Sequence, residues 1–212
     1  MGEVDGHVGD LRAYYEQEAA LRTRKPPAGR RVAIRTQYLA LLADEGRPSV
    51  LDLGAGPGGD GPAFAAAGIR YVGLDLAYGN AGLAAESGVV VVPGSIGAPP
   101  FRPGSFQAGW SMSTLMHVPE AQVPGVLAAM VEPLAAGAPL FVGLWGGRRH
   151  DHVVDNTIPG HRRLFSYRPV DQNRRLLSTV GAVEHEEAWE VTPDGAANGM
   201  QYQVFRLRLP AG

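Results

Sequence analysis

The residues best suited to chemistry lie in a glycine-rich stretch near position 50. A mostly apolar run, Ser49 to Leu53, leads into Gly54-Ala55-Gly56-Pro57-Gly58-Gly59, and an alanine-rich run follows. A short, bounded apolar run predicts a buried strand. Glycines allow a sharp turn and close approach of a ligand, and the start of the next helix offers free N–H groups. The order strand, glycine turn, helix is typical of a nucleotide-binding corner in an open α/β sheet.

Two kinds of ligand fit this glycine pattern. Gly54, Gly56 and Gly59 match the G-x-G-x-x-G dinucleotide fingerprint, and Asp75 has about the spacing of a ribose-binding acid. Asp52, at the end of the predicted strand, favours a different ligand because its carboxylate repels a pyrophosphate and attracts a cation. S-adenosylmethionine (SAM) carries a sulfonium and an ammonium and has no phosphate. We therefore expect the ligand to be SAM. A dinucleotide ligand, and with it an NAD-dependent oxidoreductase, is the less favoured alternative.

Further motifs resemble class I SAM-dependent methyltransferases over roughly residues 10–208. Asp52-Leu53-Gly54-Ala55-Gly56-Pro57-Gly58 resembles the first motif of that superfamily, and Gly73-Leu74-Asp75-Leu76 resembles the end of its second strand. Leu115-Met116-His117-Val118-Pro119 resembles a segment frequent in the ubiquinone/menaquinone-biosynthesis-like branch, methyltransferase type 11. The resemblance implies an α/β fold, a Rossmann-like three-layer α/β/α sandwich. Its seven-stranded, mostly parallel sheet has an antiparallel last strand.

The resemblance also implies a SAM site at the carboxyl edge of the sheet, with S-adenosylhomocysteine as product. The expected cofactor contacts are Tyr14, Asp52, Gly54, Ala55, Gly56, Gly58, Asp75, Leu76, Ser95, Ile96, Ser111, Met112 and His117. Ser95 departs from the aspartate that is common in the family at this position. A serine still forms hydrogen bonds but carries no charge. A SAM-binding protein without transfer activity is therefore a further alternative.

Methyl transfer to an O, N or C atom depends chiefly on in-line alignment of the reacting atoms. An acceptor that carries a proton also needs a base, and imidazole titrates in a suitable range. His117 is the first candidate base, followed by His150 and His152. His117 is alternatively a residue that orients its own loop or positions the cofactor. If the acceptor is an amine or a stabilised carbanion, no dedicated base is required.

A stretch rich in arginine and histidine follows the predicted fifth strand. It runs from Gly146 to His152 and again from His161 to Tyr167. It is interpreted as a binding surface for a substrate carboxylate or phosphate, as a metal site at His150, Asp151 and His152, or as a solvated loop. Adjacent residues seldom converge on one ion, so we expect no metal.

The chain reads as a single domain over residues 1–212. Helices within residues 9–45 are expected to cover a Rossmann-like core at residues 48–209, and residues 1–8 are expected to be unstructured. In the cover, Tyr14 and Tyr15 are either contacts of a lid or core aromatics. Val89 to Val92 is expected to be a fully buried parallel strand.

Composition narrows the possible partners. A net charge of −2 gives no electrostatic footprint for nucleic acid. The absence of cysteine excludes disulfides and a thiolate nucleophile. No secretory signal and no membrane-spanning apolar run is recognisable. We expect a cytoplasmic, bacterial-type enzyme, monomer or homodimer, that methylates a small molecule, by analogy in specialised metabolism, without nucleic-acid or membrane partners.

Overall fold

The structure, a computed structural model, describes residues 2–23, 25–27, 29–155, 157–191 and 199–212, with the side chains of residues 2–6 and 151–155 left aside. The strands are β1 Ser49–Leu53, β2 Arg70–Asp75, β3 Val91–Pro93, β4 Ala108–Met112, β5 Pro139–Gly147, β6 His150–Asp155, β7 Arg163–Tyr167, β8 Ala182–Glu190 and β9 Met200–Arg208. The helices are α1 Gly2–Leu21, α2 Arg30–Asp44, α3 Gly61–Ala66, α4 Tyr78–Glu86, α5 Val123–Val131 and α6 Val170–Leu177.

Seven of these strands form one mixed sheet in the order β3-β2-β1-β4-β5-β9-β8. The first five strands run parallel, and β9 runs antiparallel to both β5 and β8. The central strands β1 and β4 are buried along their whole length. This agrees with their apolar sequences, because a parallel sheet is covered on both faces. The predicted sheet and its antiparallel last strand are confirmed.

Helices cover the sheet on both faces and complete three layers. On one face, Tyr38 of α2 and Phe64 of α3 pack around Trp110 of β4. On the other face, Leu127 of α5 and Leu177 of α6 belong to a second apolar cluster with the sheet. The carboxyl ends of the parallel strands lie at one edge, where this fold class binds ligands.

Two expectations about local structure were wrong. Helix α1 begins at Gly2, whereas residues 1–8 were expected to be unstructured. The glycines at positions 2, 6 and 9 lower helix propensity, but Val8 and Leu11 line a cavity shared with the core, and such contacts override propensity. The expected buried strand at Val89–Val92 is shorter, and Val90 is 59% exposed. The strand β3 begins only after Val90, at Val91, and it lies at the edge of the sheet with β2 as its neighbour, so coverage there is incomplete.

The Arg/His-rich stretch forms a β-hairpin, which corrects the interpretation as a loop. β6 and β7 pair antiparallel in a separate two-stranded sheet. The register brings Val153 opposite Phe165 and Val154 opposite Leu164. These apolar and β-branched residues suit a pleated surface. The charged residues around them concealed that pattern in the sequence.

Candidate active site

A cavity of about 320 Å³ opens at the carboxyl ends of the parallel strands. Gly54 follows β1, Asp75 ends β2, and Ser113 and Thr114 follow β4. Helix α1 forms the opposite wall. The lining comprises His7, Val8, Leu11, Tyr15, Gly54, Asp75, Leu76, Gly94, Ser95, Ile96, Gly97, Ala98, Ser113, Thr114, His117, Val118, Pro119, Gln122 and Val126. Its position matches the ligand site of open α/β sheets.

Asp75 joins the glycine turn to helix α4. Its Oδ2 accepts a hydrogen bond from the backbone N–H of Gly56 at 2.7 Å. Its Oδ1 accepts from the backbone N–H of Ala77 at 3.0 Å and from the Asn80 side chain at 2.9 Å. Three donors hold the carboxylate in one orientation at the cavity wall. A carboxylate offers about four lone-pair sites, so it retains capacity for a ligand hydroxyl.

Gly54 occupies a position that excludes other residues. Its φ is +83°, in the left-handed region, and a Cβ there would lie 2.0 Å from Oγ1 of Thr114. Both the backbone conformation and the close approach of the Thr114 side chain therefore require glycine.

Asp52 is a buried acid beneath the glycine turn. It is 1% exposed, and its Oδ2 accepts a hydrogen bond from the Tyr71 hydroxyl at 2.7 Å. No described donor reaches its Oδ1. Burial and the nearby Asp60 carboxylate raise the pKa of Asp52 to about 7, against the opposing effect of the Tyr71 hydrogen bond. Asp52 is outside the described lining of the cavity, so its contact with SAM stays a prediction.

A second buried acid, Asp60, ties three elements together. It precedes α3 and is completely buried. Its carboxylate contacts Arg31 at 2.6 Å and Arg35 at 2.8 Å, both on α2, and accepts from the Trp110 indole N–H of β4 at 3.0 Å. This cluster fixes the far end of the glycine turn. The sequence does not reveal it, because the partners are far apart along the chain and match no motif.

His117 is buried in the wall of the cavity and paired with a tyrosine. Its Nδ1 lies 2.9 Å from the carbonyl oxygen of Leu164. Because a carbonyl accepts, we assign the proton to Nδ1. Nε2 then accepts from the Tyr15 hydroxyl, 2.7 Å away. The carbonyl oxygen of His117 also accepts from Nε2 of His7 at 2.7 Å. The role of His7 was missed, since its segment was expected to be unstructured.

An arginine of β7 supports this pair. The Arg163 guanidinium lies 4.5 Å from the Tyr14 ring centroid and 4.9 Å from that of Phe165, and it donates to the Tyr15 hydroxyl at 3.4 Å. These contacts join α1 to the hairpin through cation–π attraction.

A second arginine, Arg168, holds the loop that carries His117. It is 1% exposed and donates to the carbonyl oxygens of Leu115 at 2.8 Å and Val118 at 3.2 Å. Further bonds to Ser166 and Asn173 anchor the guanidinium. Since the two carbonyl groups lie on either side of His117, Arg168 fixes the backbone that presents the imidazole.

The predicted cofactor contacts fall into two groups. Those that line the cavity are Gly54, Asp75, Leu76, Ser95, Ile96 and His117. The others lie outside this lining. Tyr14 is buried beneath Arg163, Ser111 donates to the carbonyl oxygen of Leu53, and Met112 is buried in β4. Ala55 borders a separate cleft on the far side of the glycine turn. Gly56 contributes its N–H to Asp75, and Gly58 packs near Val89.

One of the two secondary base candidates, His150, is not among the described residues that line the cavity. His150 is exposed at the start of β6. The side chains of Asp151 and His152, which belong to the alternative metal site, lie outside the described residues. None of the described helices has the length and apolarity required to cross a membrane.

Comparisons with known proteins agree with this geometry. Residues 50–137 match a family model described as a methyltransferase domain. A SAM-dependent methyltransferase from Methanosarcina mazei superimposes with a TM-score of 0.66 at 16% identity, covering 77% of this chain and 93% of that one. The [4+2]-cyclase SpnF gives 0.67 at 16% identity, covering 90% and 86%. Comparison with curated protein sequences gives no significant match.

A third structure carries ligands. It is the 1,6-didemethyltoxoflavin-N1-methyltransferase of Burkholderia thailandensis, with bound 1,6-didemethyltoxoflavin and S-adenosylhomocysteine. It has a TM-score of 0.60 and 19% identity, covering 89% of this chain and 93% of that one.

Residues 50–137 therefore carry a methyltransferase domain, and the chain has the fold of SAM-dependent methyltransferases. This confirms the resemblance at the level of domain and fold, whereas the branch indicated by the His-Val-Pro segment stays a prediction. The lining is compatible with the cofactor of such enzymes: Asp75 would offer a carboxylate to a diol, Leu76 and Ile96 would offer apolar walls, and no lysine or arginine is among the described lining residues.

Proposed function

We propose that this protein transfers the methyl group of SAM to a small molecule whose acceptor atom carries a proton, best a hydroxyl. One observation carries the proposal. The hydrogen-bonded pair of Tyr15 and His117 lies in the wall of the same cavity as Gly54 and Asp75. This shared lining supports a role for the pair as the base that acts next to the bound cofactor.

Asp75 would bind the ribose hydroxyls, and Leu76 and Ile96 would flank the adenine. Gly54 and Ser113 would border the methionine part. When bound, SAM supplies a methyl group on a positively charged sulfur, which is electrophilic without further activation. The protein's principal task is then to orient the acceptor and to remove its proton.

The tautomer of His117 determines how a proton can move. Because Nδ1–H donates to Leu164, the basic lone pair of the imidazole is on Nε2, where it accepts from the Tyr15 hydroxyl. The Tyr15 oxygen takes the acceptor's proton while its own proton passes to Nε2. The acceptor O–H bond breaks, its electron pair becomes the nucleophile, and His117 ends as an imidazolium. Arg163 donates to the Tyr15 oxygen and stabilises negative charge there.

The small size of the acceptor is supported by the cavity volume of about 320 Å³ and by the Burkholderia enzyme, whose structure contains 1,6-didemethyltoxoflavin. A role in specialised metabolism is part of the proposal and rests on analogy with such enzymes.

The test combines binding and turnover. Calorimetric titrations with SAM, S-adenosylhomocysteine and NAD are run on the wild type, Tyr15→Phe and Tyr14→Phe. Wild type is expected to bind SAM and S-adenosylhomocysteine but not NAD. Release of S-adenosylhomocysteine is then measured with a panel of hydroxyl-bearing small molecules.

Tyr15→Phe is expected to lower kcat by roughly 10²–10⁴ while the Kd for SAM changes little, because the proton path is lost and the cofactor contacts remain. Tyr14→Phe, one residue away and outside the cavity lining, is the matched control and should retain kcat. Binding of NAD alone would restore the dinucleotide interpretation. SAM binding without S-adenosylhomocysteine release from any acceptor would instead support a binding protein without transfer activity.

A further inference from the structure

Part of the cavity lining lies outside the residues proposed to hold the ribose and the adenine. Val8 and Leu11 of α1 face this space, and Val118 contributes from the loop after β4. The polar groups there are the side chains of Tyr15 and His117, together with His7. We call these six residues the acceptor half of the cavity. Three of the six are aliphatic, and none is a lysine, an arginine or an acid, so this half favours an uncharged ligand with apolar surface.

No lysine or arginine is among the described residues that line the whole cavity. The nearby arginines are committed elsewhere. Arg163 lies against three aromatic rings and donates to Tyr15. Arg149 is largely exposed and pairs with Glu120 at 3.1 Å. Arg168 is buried behind the His117 loop. None of these three arginines is among the described residues that line the cavity.

This distribution has an energetic consequence for the acceptor. A phosphate or carboxylate that enters a largely apolar space loses its hydration and must find a cation there. The one acid of the described lining, Asp75, adds repulsion at the cofactor end. A neutral molecule meets neither cost, and its apolar surface gains from contact with Val8 and Leu11.

We propose that the acceptor is an uncharged, largely apolar molecule bearing a hydroxyl, and that the acceptor half of the cavity rejects carboxylates and phosphate esters. This inference rests on the proposed function and specifies its substrate class. It also assigns Leu11 as a specificity-determining residue, since this side chain lies on the wall opposite the sheet.

The test uses three probes that share one ring system. Protein loaded with S-adenosylhomocysteine is titrated calorimetrically with 1-naphthol, 1-naphthoate and 1-naphthyl phosphate at about pH 8, above the usual range of histidine titration. 1-Naphthol is expected to bind, and each anion to bind at least about tenfold more weakly.

Leu11→Lys introduces a cation into the acceptor half. It is expected to weaken 1-naphthol binding and to tighten 1-naphthoate binding at least about tenfold, because an opposite charge becomes available in a poorly solvated site. Leu21→Lys places the same substitution on the same helix, at a residue that is 53% exposed. It is expected to change neither affinity.

Two failures are distinguishable. Absence of S-adenosylhomocysteine binding would overturn the proposed function itself. Normal S-adenosylhomocysteine binding with either anion bound as tightly as 1-naphthol, or with no binding of 1-naphthol, would overturn the inference about the acceptor. The wild-type titrations separate these outcomes even if Leu11→Lys does not fold.

Discussion

Asp52 shows how a single residue can oppose the stability of its own fold. The carboxylate is buried, one of its oxygens meets no described donor, and a second acid, Asp60, lies nearby. Ionising such a group without full compensation is costly. A nearby ligand cation would remove part of that cost, which is consistent with the prediction that Asp52 favours SAM over a pyrophosphate.

The raised pKa of Asp52 predicts a specific pH dependence. In the unfolded chain this acid titrates near about 3.9, whereas in the folded protein its pKa is about 7. The folded state therefore holds an extra proton between these values. Protonation of Asp52 therefore contributes to the stability of the folded state. This contribution is fully present below about pH 4 and is lost as the pH rises through about 7.

Asp52→Asn removes this pH-dependent contribution to the stability. As the pH rises from about 5 to about 8, the free energy of unfolding of the variant is expected to increase by about 2–3 kcal/mol relative to that of wild type. Urea unfolding of both ligand-free proteins at the two pH values measures the difference. An identical difference between the proteins at both pH values would contradict the raised pKa. SAM affinity of Asp52→Asn should fall, so that stability and binding change in opposite directions.

Among individual residues, the sequence predicts the roles of those that belong to a local motif. Asp75 and Gly54 were identified because the strand, turn and helix around them are contiguous. Arg168 and His7 were not, since their roles depend on carbonyl oxygens of residues about 50 and 110 positions away. Nothing in the local sequence encodes such a contact.

Among the elements, α1 connects the cavity to the rest of the molecule. Its Glu16 carboxylate accepts from the backbone N–H groups of Tyr78 at 2.6 Å and Gly79 at 2.8 Å, at the start of α4. This interaction satisfies two unpaired donors and complements the helix dipole. On its other side, Tyr15 meets His117 and Arg163. Helix α1 thus bridges α4 and the β6–β7 hairpin above the cavity.

Glu16→Ala is expected to loosen α1 while the sheet stays intact. Amide hydrogen exchange should accelerate across residues 7–21, and the Kd for SAM should rise several-fold, because losing a capping interaction costs about 0.5–2 kcal/mol. Gln17→Ala, at the next position of the same helix, is the control. Unchanged exchange in Glu16→Ala would show that other contacts hold α1.

The elements were predictable where hydrophobic periodicity is strong. The strands β1 and β5 and the helix α2 follow from apolar patterns that end at or just before glycine or proline. The amino-terminal turns of α1 and the hairpin were not predictable. Their own sequences favour coil or solvent, and contacts between the two elements, such as Arg163 with Tyr14, stabilise both.

For the whole molecule, the cavity depends on residues from His7 to Val126, and Arg163 and Arg168 stabilise its wall from outside the lining. A ligand in this cavity contacts α1 and the loops after four strands of the sheet. Binding should therefore stabilise the fold as a unit. For a ligand that binds only the folded state, the gain at about 100 times Kd is about 2.7 kcal/mol. In a chain of this size, that corresponds to a rise in Tm of roughly 5–11 °C.

Two glycine substitutions separate ligand stabilisation from backbone strain. Gly54 and Gly46 both have positive φ, +83° and +63°, so alanine is strained at each position. At Gly54 the added Cβ also collides with Thr114 in the cavity wall, whereas at Gly46 nothing lies within 4 Å. Both variants should have a lower Tm than wild type without ligand. Only Gly46→Ala should recover the full rise with SAM, measured by thermal denaturation. A full rise in Gly54→Ala would mean that SAM does not bind at the glycine turn.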